Sequence, residues 1–249
     1  DSSSTDAAPP QEKRHSADFP ACRPPPAKGK AAAMGFDLTL SGAEQTAARI
    51  AAQPGVRRLP SRLVTQFTLP HFLSAQECAA LMALTDARVR PSTITDDNGD
   101  PAFRTSATGD LDHANPLVAA IDARLCALAG IAPAFGEPLQ AQRYEVGQEF
   151  KGHTDYFEPT GVDFADHCTL SGQRTWTMMA YLNSVPAGGG TRFLKLGKII
   201  QPEAGKLVAW CNLDAAGNPN PDTIHHAMKV RKGRKYVITK WFRERAWPW

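Results

Sequence analysis

The rhythm of apolar and polar positions changes near residue 139 of this chain. Before that point Ala and Leu recur at helical spacing behind clear start signals. Ser41-Gly-Ala-Glu44 opens a predicted helix that runs to about residue 52. Ser74-Ala-Gln-Glu77 has the form of a capping box, in which the Ser and Glu side chains satisfy each other's free amides, and it leads into CAALMALTD. Asn115-Pro116 starts LVAAIDARLCALAG, with Pro at the first helical position, where no amide is needed, and Gly130 as the stop. The Ala/Leu faces of these segments read as packing surface.

After residue 139 the apolar positions come in short β-type runs broken by Gly, Pro and Asn: LQAQRYEV, TWTMMAYL, TRFL, KIIQP, KLVAWC and KYVITKWF. Closely spaced short strands with no helices between them predict a sandwich or barrel. The expected class is α+β, with helical support over about 34–138 and a β-rich core over about 139–249. Residues 1–33 fit neither rhythm. They are rich in Pro, Ala, Ser and charge, with Phe19 the sole aromatic, and such a segment buries too little apolar surface to offset its ordering entropy. We expect a flexible tail, with Met34 a conceivable start.

Composition narrows the classes. At 249 residues and 42% hydrophobic, the chain suits one globular domain with extra segments. A formal net charge of +3, without a compact cationic cluster, does not point to nucleic acid. Cys22, Cys78, Cys126, Cys168 and Cys211 are scattered, without CxxC, which fits neither a disulfide framework nor a cysteine zinc site and suggests a reducing, cytoplasmic location. No apolar stretch approaches the roughly 18–20 residues that span a bilayer, so no membrane partner is expected.

The chemistry starts at KGHTDYF. In a strand, His153 and Asp155 fall on one face and can lean toward one ion. Far downstream TIHHA supplies His225 and His226 in another β-type stretch. Two histidines and a carboxylate with open positions make the facial triad of non-haem iron oxygenases, and three protein ligands plus water would equally suit a catalytic zinc hydrolase. Lys235 follows ten residues after His225, on the same strand face as Val237 and Thr239. A lysine turned into a β-barrel is costly unless it meets an anion, and a dicarboxylate held between metal and lysine would satisfy both charges. A silent jelly-roll module that binds Pro-rich peptides is the other alternative.

Five ordered blocks over about residues 104–243 resemble the Fe(II)- and 2-oxoglutarate-dependent prolyl 4-hydroxylase family, in its collagen-type and short bacterial and plant branches: RTSATGDL, QRYEVGQEFKGHTDYF, QRTWTMMAYLNSVPAGGGTRF, QPEAGKLVAWCN and TIHHAMKVRKGRKYVITKWF. The resemblance implies a double-stranded β-helix (jelly roll) core. It implies a dioxygenase that uses Fe(II), 2-oxoglutarate and O2, with ascorbate as reductant, to convert a peptidyl proline to 4-hydroxyproline with release of succinate and CO2. It implies His153, Asp155 and His225 as iron ligands, because His225 lies five residues before Val230, as the family spacing asks. It implies Lys235, also catalytic, with Thr191, Tyr144 and Thr177 around 2-oxoglutarate, and Arg174, Trp241 and Arg104 near the peptide substrate. Tyr156 and Phe157 would wall the site from water. The chain departs from the pattern at Ala227, where glycine is usual, at Lys229, where proline is usual, and at Gly190, where an acidic residue is usual.

Overall fold

The computed structural model of the protein describes residues 40–93, 100, 102–162 and 164–248. The expected tail over 1–33, and Met34, lie outside them. Helices α1 (Leu40–Ala51), α2 (Ala75–Ala87) and α3 (Pro116–Ala129) form where their start signals predict. At α2, Ser74 Oγ accepts from the Glu77 amide at 3.2 Å while Glu77 Oε2 accepts from the Ser74 amide at 2.8 Å. At α3, the Asn115 side chain accepts from the Leu117 and Val118 amides, and Gly130 ends the helix at φ 70°, a left-handed conformation that glycine adopts without a steric penalty.

The strands run in chain order as β1 (Arg57–Arg58), β2 (Gln66–Leu69), β3 (Val89–Pro91), β4 (Ala107–Asp110), β5 (Gln140–Tyr144), β6 (Phe150–His153) and β7 (Arg174–Tyr181). They continue as β8 (Ala187–Gly188), β9 (Thr191–Phe193), β10 (Lys198–Ile200), β11 (Leu207–Cys211), β12 (His225–Ala227), β13 (Val230–Lys232) and β14 (Lys235–Arg243). Among the described residues a major sheet takes the order β1-β2-β11-β7-β14-β5-β4-β3, a minor sheet β10-β9-β12-β6, and β13 pairs with β8. The ladders are antiparallel throughout.

Two features depart from the sequence reading. The N-terminal layer is not only helical, because β2, β3 and β4 extend the major sheet on both sides. The run ATGD has weak intrinsic strand preference and is held by pairing with β5 and by the close approach of α2. A Cβ on Gly109 would sit 2.7 Å from Thr85 Cγ2, so the glycine lets helix and strand touch. The second departure is α4 (Phe164–Cys168), a five-residue helix in the connection from β6 to β7, too short to print a periodicity.

The major sheet separates two cores. Against the helices, Leu81, Ile121 and Leu125 pack with Trp176, Ile238 and Phe242. On the other side, Tyr144, Tyr181 and Val237 of the major sheet share an interior with Phe193 and Ala227 of the minor sheet and with Trp210. β14 lies between β7 and β5, and all nine of its residues are buried. Its alternate side chains therefore enter the two cores. No helix among the described residues is long and apolar enough to cross a membrane.

Candidate active site

The interior between the sheets holds two polar clusters. At one, β6 and β12 are register partners at His153 and His225, which places both rings side by side, 4.3 Å between centroids. Asp155 follows β6 by two residues and turns inward, with Oδ1 3.9 Å from His153 Nε2 and 4.0 Å from His225 Nε2. One ligand atom from each of the three lies within 4.8 Å of the others. The outer nitrogens are occupied: His153 Nδ1 donates to the Lys151 carbonyl at 2.8 Å and His225 Nδ1 to the Thr223 carbonyl at 3.0 Å. Those bonds select the tautomer that leaves each Nε2 lone pair turned toward Asp155. Burial, reinforced by the neighbouring His225, pushes His153 well below the usual imidazole range, so it stays neutral. Two imidazoles and one carboxylate are the donor set that fits a divalent first-row metal, iron included.

The rings are held by stacking. His153 lies on Phe150 at 3.5 Å between centroids, and His225 packs between Phe193 and Trp210. Asp155 Oδ2 accepts from Thr177 Oγ1 at 2.7 Å, and Thr177 Oγ1 in turn accepts from Asn212 Nδ2 at 2.9 Å. The backbone carbonyl of Asp155 accepts from Arg174 Nη1 at 3.2 Å. Arg174 also grips the buried Glu137 with two bonds, 2.6 and 2.7 Å, and Arg243 reaches the same carboxylate at 2.9 Å. Burial alone would raise the Glu137 carboxyl, but the two guanidinium groups outweigh it and hold it below the usual carboxylate range.

The second cluster centres on Lys235. Its side chain is 1% exposed, and among the described residues no carboxylate pairs with it. Its Nζ sits 4.9 Å from the centre of the Tyr144 ring and 5.5 Å from that of Tyr181. Tyr181 donates to Thr191 Oγ1 at 2.6 Å. Burial pushes the Lys235 ammonium down to about 7, because its surroundings disfavour the charge and no carboxylate among the described residues offsets that.

The expected residues are distributed as follows. His153, Asp155 and His225 converge, and Lys235, Tyr144 and Thr191 gather in the same interior. Thr177 spends its hydroxyl on Asp155 rather than presenting it to the Lys235 cluster. Arg104 lies 4.7 Å over the Phe150 ring, on the flank of His153. Arg174 and Trp241, expected near the peptide, sit together beside Asp155, with the guanidinium 4.1 Å over the indole and bonded to Glu137 and to the Asp155 carbonyl. His226 points out of the interior and pairs with Glu149 at 2.9 Å. Glu137, Tyr181, Asn212, Trp210 and Arg243 went unread in the sequence. A buried Glu or Asn has no periodic signal, and only its partners reveal its part.

Comparison with known proteins bears on this arrangement. The profile of the 2OG-Fe(II) oxygenase superfamily matches residues 139–243. Prolyl 4-hydroxylase 1 of Arabidopsis thaliana is 31% identical over 198 residues, covering 72% of this chain and 68% of the plant protein. Prolyl 4-hydroxylase subunit alpha-1 of Homo sapiens is 34% identical over 179 residues, covering 70% of this chain, which spans only 33% of the human subunit. Among solved structures, the viral collagen prolyl hydroxylase of Paramecium bursaria Chlorella virus-1, in its 2OG complex, superposes with a TM-score of 0.57 at 23% identity, over 72% of this chain and 95% of the viral one. The two-sheet core is thus the jelly-roll fold of that protein.

Proposed function

This chain belongs to the prolyl 4-hydroxylase family of the 2OG-Fe(II) oxygenase superfamily, and from that premise we propose that it hydroxylates a proline at C4 within a peptide or protein. One atom of O2 enters the proline and the other enters succinate, formed with CO2 from 2-oxoglutarate. Fe(II), 2-oxoglutarate and O2 are the reactants that the superfamily uses. In this proposal His153 Nε2, Asp155 Oδ1 and His225 Nε2 hold the iron. Lys235 receives the distal carboxylate of 2-oxoglutarate, with Tyr144 and Thr191 beside it. Arg104 flanks the substrate side, and ascorbate serves as the reductant that restores Fe(II).

Iron held there would supply the redox chemistry through which O2 acts as the oxidant. The protein's own part is positional and electrostatic. The two Nδ1–H···O=C bonds fix the imidazole tautomers, and the Phe150 and Phe193 stacks fix the ring planes, with Trp210 edge-on to His225. The Lys235 amine, with its pKa near 7 in the apolar interior, gains its proton fully when a carboxylate arrives, so binding restores a charge that burial opposes. Tyr156 and Phe157, half-buried beside Asp155, limit water at the reacting end. The peptide substrate is supported by the names that the relatives carry.

The observation that carries this reading is the presence, within one interior, of a His/Asp/His cluster and a buried lysine that has no acid partner among the described residues. The test is direct. Full-length protein with Fe(II), ascorbate, 2-oxoglutarate and proline-containing peptides should form succinate and peptide carrying one added oxygen in equal amounts, read by mass spectrometry. Absence of both products across a broad peptide set would overturn the proposal.

A further inference from the structure

We infer that Thr177 and Asn212 form a relay that restricts Asp155 to a single metal-ligating oxygen, and so keeps one coordination position free for the co-substrates. The inference rests on the reading of His153, Asp155 and His225 as the metal site. The two oxygens of Asp155 have different surroundings. Oδ1 faces both Nε2 atoms, at 3.9 and 4.0 Å, while Oδ2 accepts from Thr177 Oγ1 at 2.7 Å.

The direction of that bond follows from the carboxylate, whose oxygens only accept, and Asn212 is placed to complete it. Asn212 Nδ2 stands 2.9 Å from Thr177 Oγ1, and an amide nitrogen can only donate. The threonine oxygen is therefore the acceptor there, and its one proton is left for Asp155. The reverse arrangement would set a hydroxyl lone pair against a carboxylate oxygen at 2.7 Å with no proton between, in a site where Thr177 and Asn212 are both 0% exposed. A hydrogen bond from hydroxyl to carboxylate is among the stronger kinds, and it competes with the metal for Oδ2.

The relay is rigid because each part is tied to the sheet. Thr177 is register partner to Trp210 between β7 and β11, in the middle of the major sheet. Asn212 donates its amide to the Thr175 carbonyl at 2.8 Å and accepts at its own carbonyl from the Asn220 amide at 2.8 Å. These bonds fix the backbone from which both relay side chains project. A carboxylate bound through both oxygens would occupy two positions of an octahedral ion. Bound through one, it leaves about three open in the facial arrangement.

Mn(II) is the probe, since its effect on water-proton relaxation counts exchanging waters on the bound ion. Wild-type protein should hold about three waters on Mn(II), falling to about one with 2-oxoglutarate added. Thr177→Val, of similar shape and without the proton, should hold about two, falling to about none. Thr177→Ser keeps the proton and should match the wild type. An unchanged count in Thr177→Val would overturn the relay. So would two waters on the wild type, a result that needs no variant to fold. If Mn(II) does not bind, or if His225→Ala binds it as well as wild type, the metal-site reading itself fails and this inference falls with it.

Discussion

Lys235 and Lys240 lie five residues apart on β14, and both are fully buried, at 1% and 0% exposure. The odd spacing sends them to opposite faces of the sheet. Lys240 enters the helix-side core and meets Asp122 of α3 at 2.6 Å. Lys235 enters the interior between the sheets, where it finds the faces of two tyrosines and, among the described residues, no carboxylate. A buried cation that the fold itself neutralises is part of the scaffold. One left without an acid bears its desolvation uncompensated, which is what supports its proposed role toward a carboxylate. The same division separates the adjacent histidines of β12. His225 is buried beside Asp155, whereas His226 is turned outward to Glu149, which also takes Lys229 at 3.3 Å.

The sharpest break of this comparison is at β12. His225→Ala should abolish metal uptake and turnover, while His226→Ala, which loses a polar contact to Glu149 outside the interior, should change activity by less than about twofold and stability by up to about 1 kcal/mol. Titration with Mn(II) and a succinate assay would check both, and the opposite result would move the ligand to His226.

The lysines come next. Lys240→Ala leaves Asp122 as a largely buried, unpaired charge and should cost about 3–5 kcal/mol in urea unfolding, with the 2-oxoglutarate requirement unchanged in protein that remains folded. Lys235→Ala should do the reverse, weakening 2-oxoglutarate by about 2–4 kcal/mol, or roughly 30- to 1,000-fold, without loss of stability. If both variants lost stability alike, the functional distinction between the two faces would collapse.

The smallest effect is a dependence on pH. Lys235 must carry its proton to receive a carboxylate, and in the empty cavity it releases that proton at about 7. Above pH 7, binding takes up a proton, so affinity should fall by up to about tenfold per pH unit, and should level off below pH 7. In the empty protein the sign is opposite. Folding disfavours the charged amine, so stability should drop as pH falls from the ordinary lysine value of 10.5 toward 7. Calorimetric titration of 2-oxoglutarate in buffers of different ionisation enthalpy would read the proton uptake, and affinity flat from pH 6 to 9 would exclude it.

Departures from the family pattern also divide by face. Lys229, where proline is usual, joins His226 on Glu149 outside the interior between the sheets. At Gly190 a side chain would come within 2.8 Å of Ile199 Cγ2, which gives a local reason for the missing acid.

Much of the scaffold was legible from residue types, because its signals are local. Ser74 and Glu77 cap α2, Asn115 and Gly130 bound α3, and alternation along KYVITKWF already set Lys235 against Lys240. The spacing of His153 to Asp155 put both on one side of the chain. Local signals do not extend to partners. That β4 would join β5 and not remain a loop, that Arg174 would be held by Glu137, and that Asn212 would reach Asp155 through Thr177 depend on contacts between segments 22 to 106 residues apart, such as the bonds linking residues 155 and 177 or 243 and 137. The sequence by itself determined which groups the chain carries and on which side of a strand each one falls, since helix and strand periods follow from backbone geometry. The tertiary structure decided which of the buried charges found an opposite charge within the chain, because in a low-dielectric interior that depends on the few ångströms between elements that only packing sets.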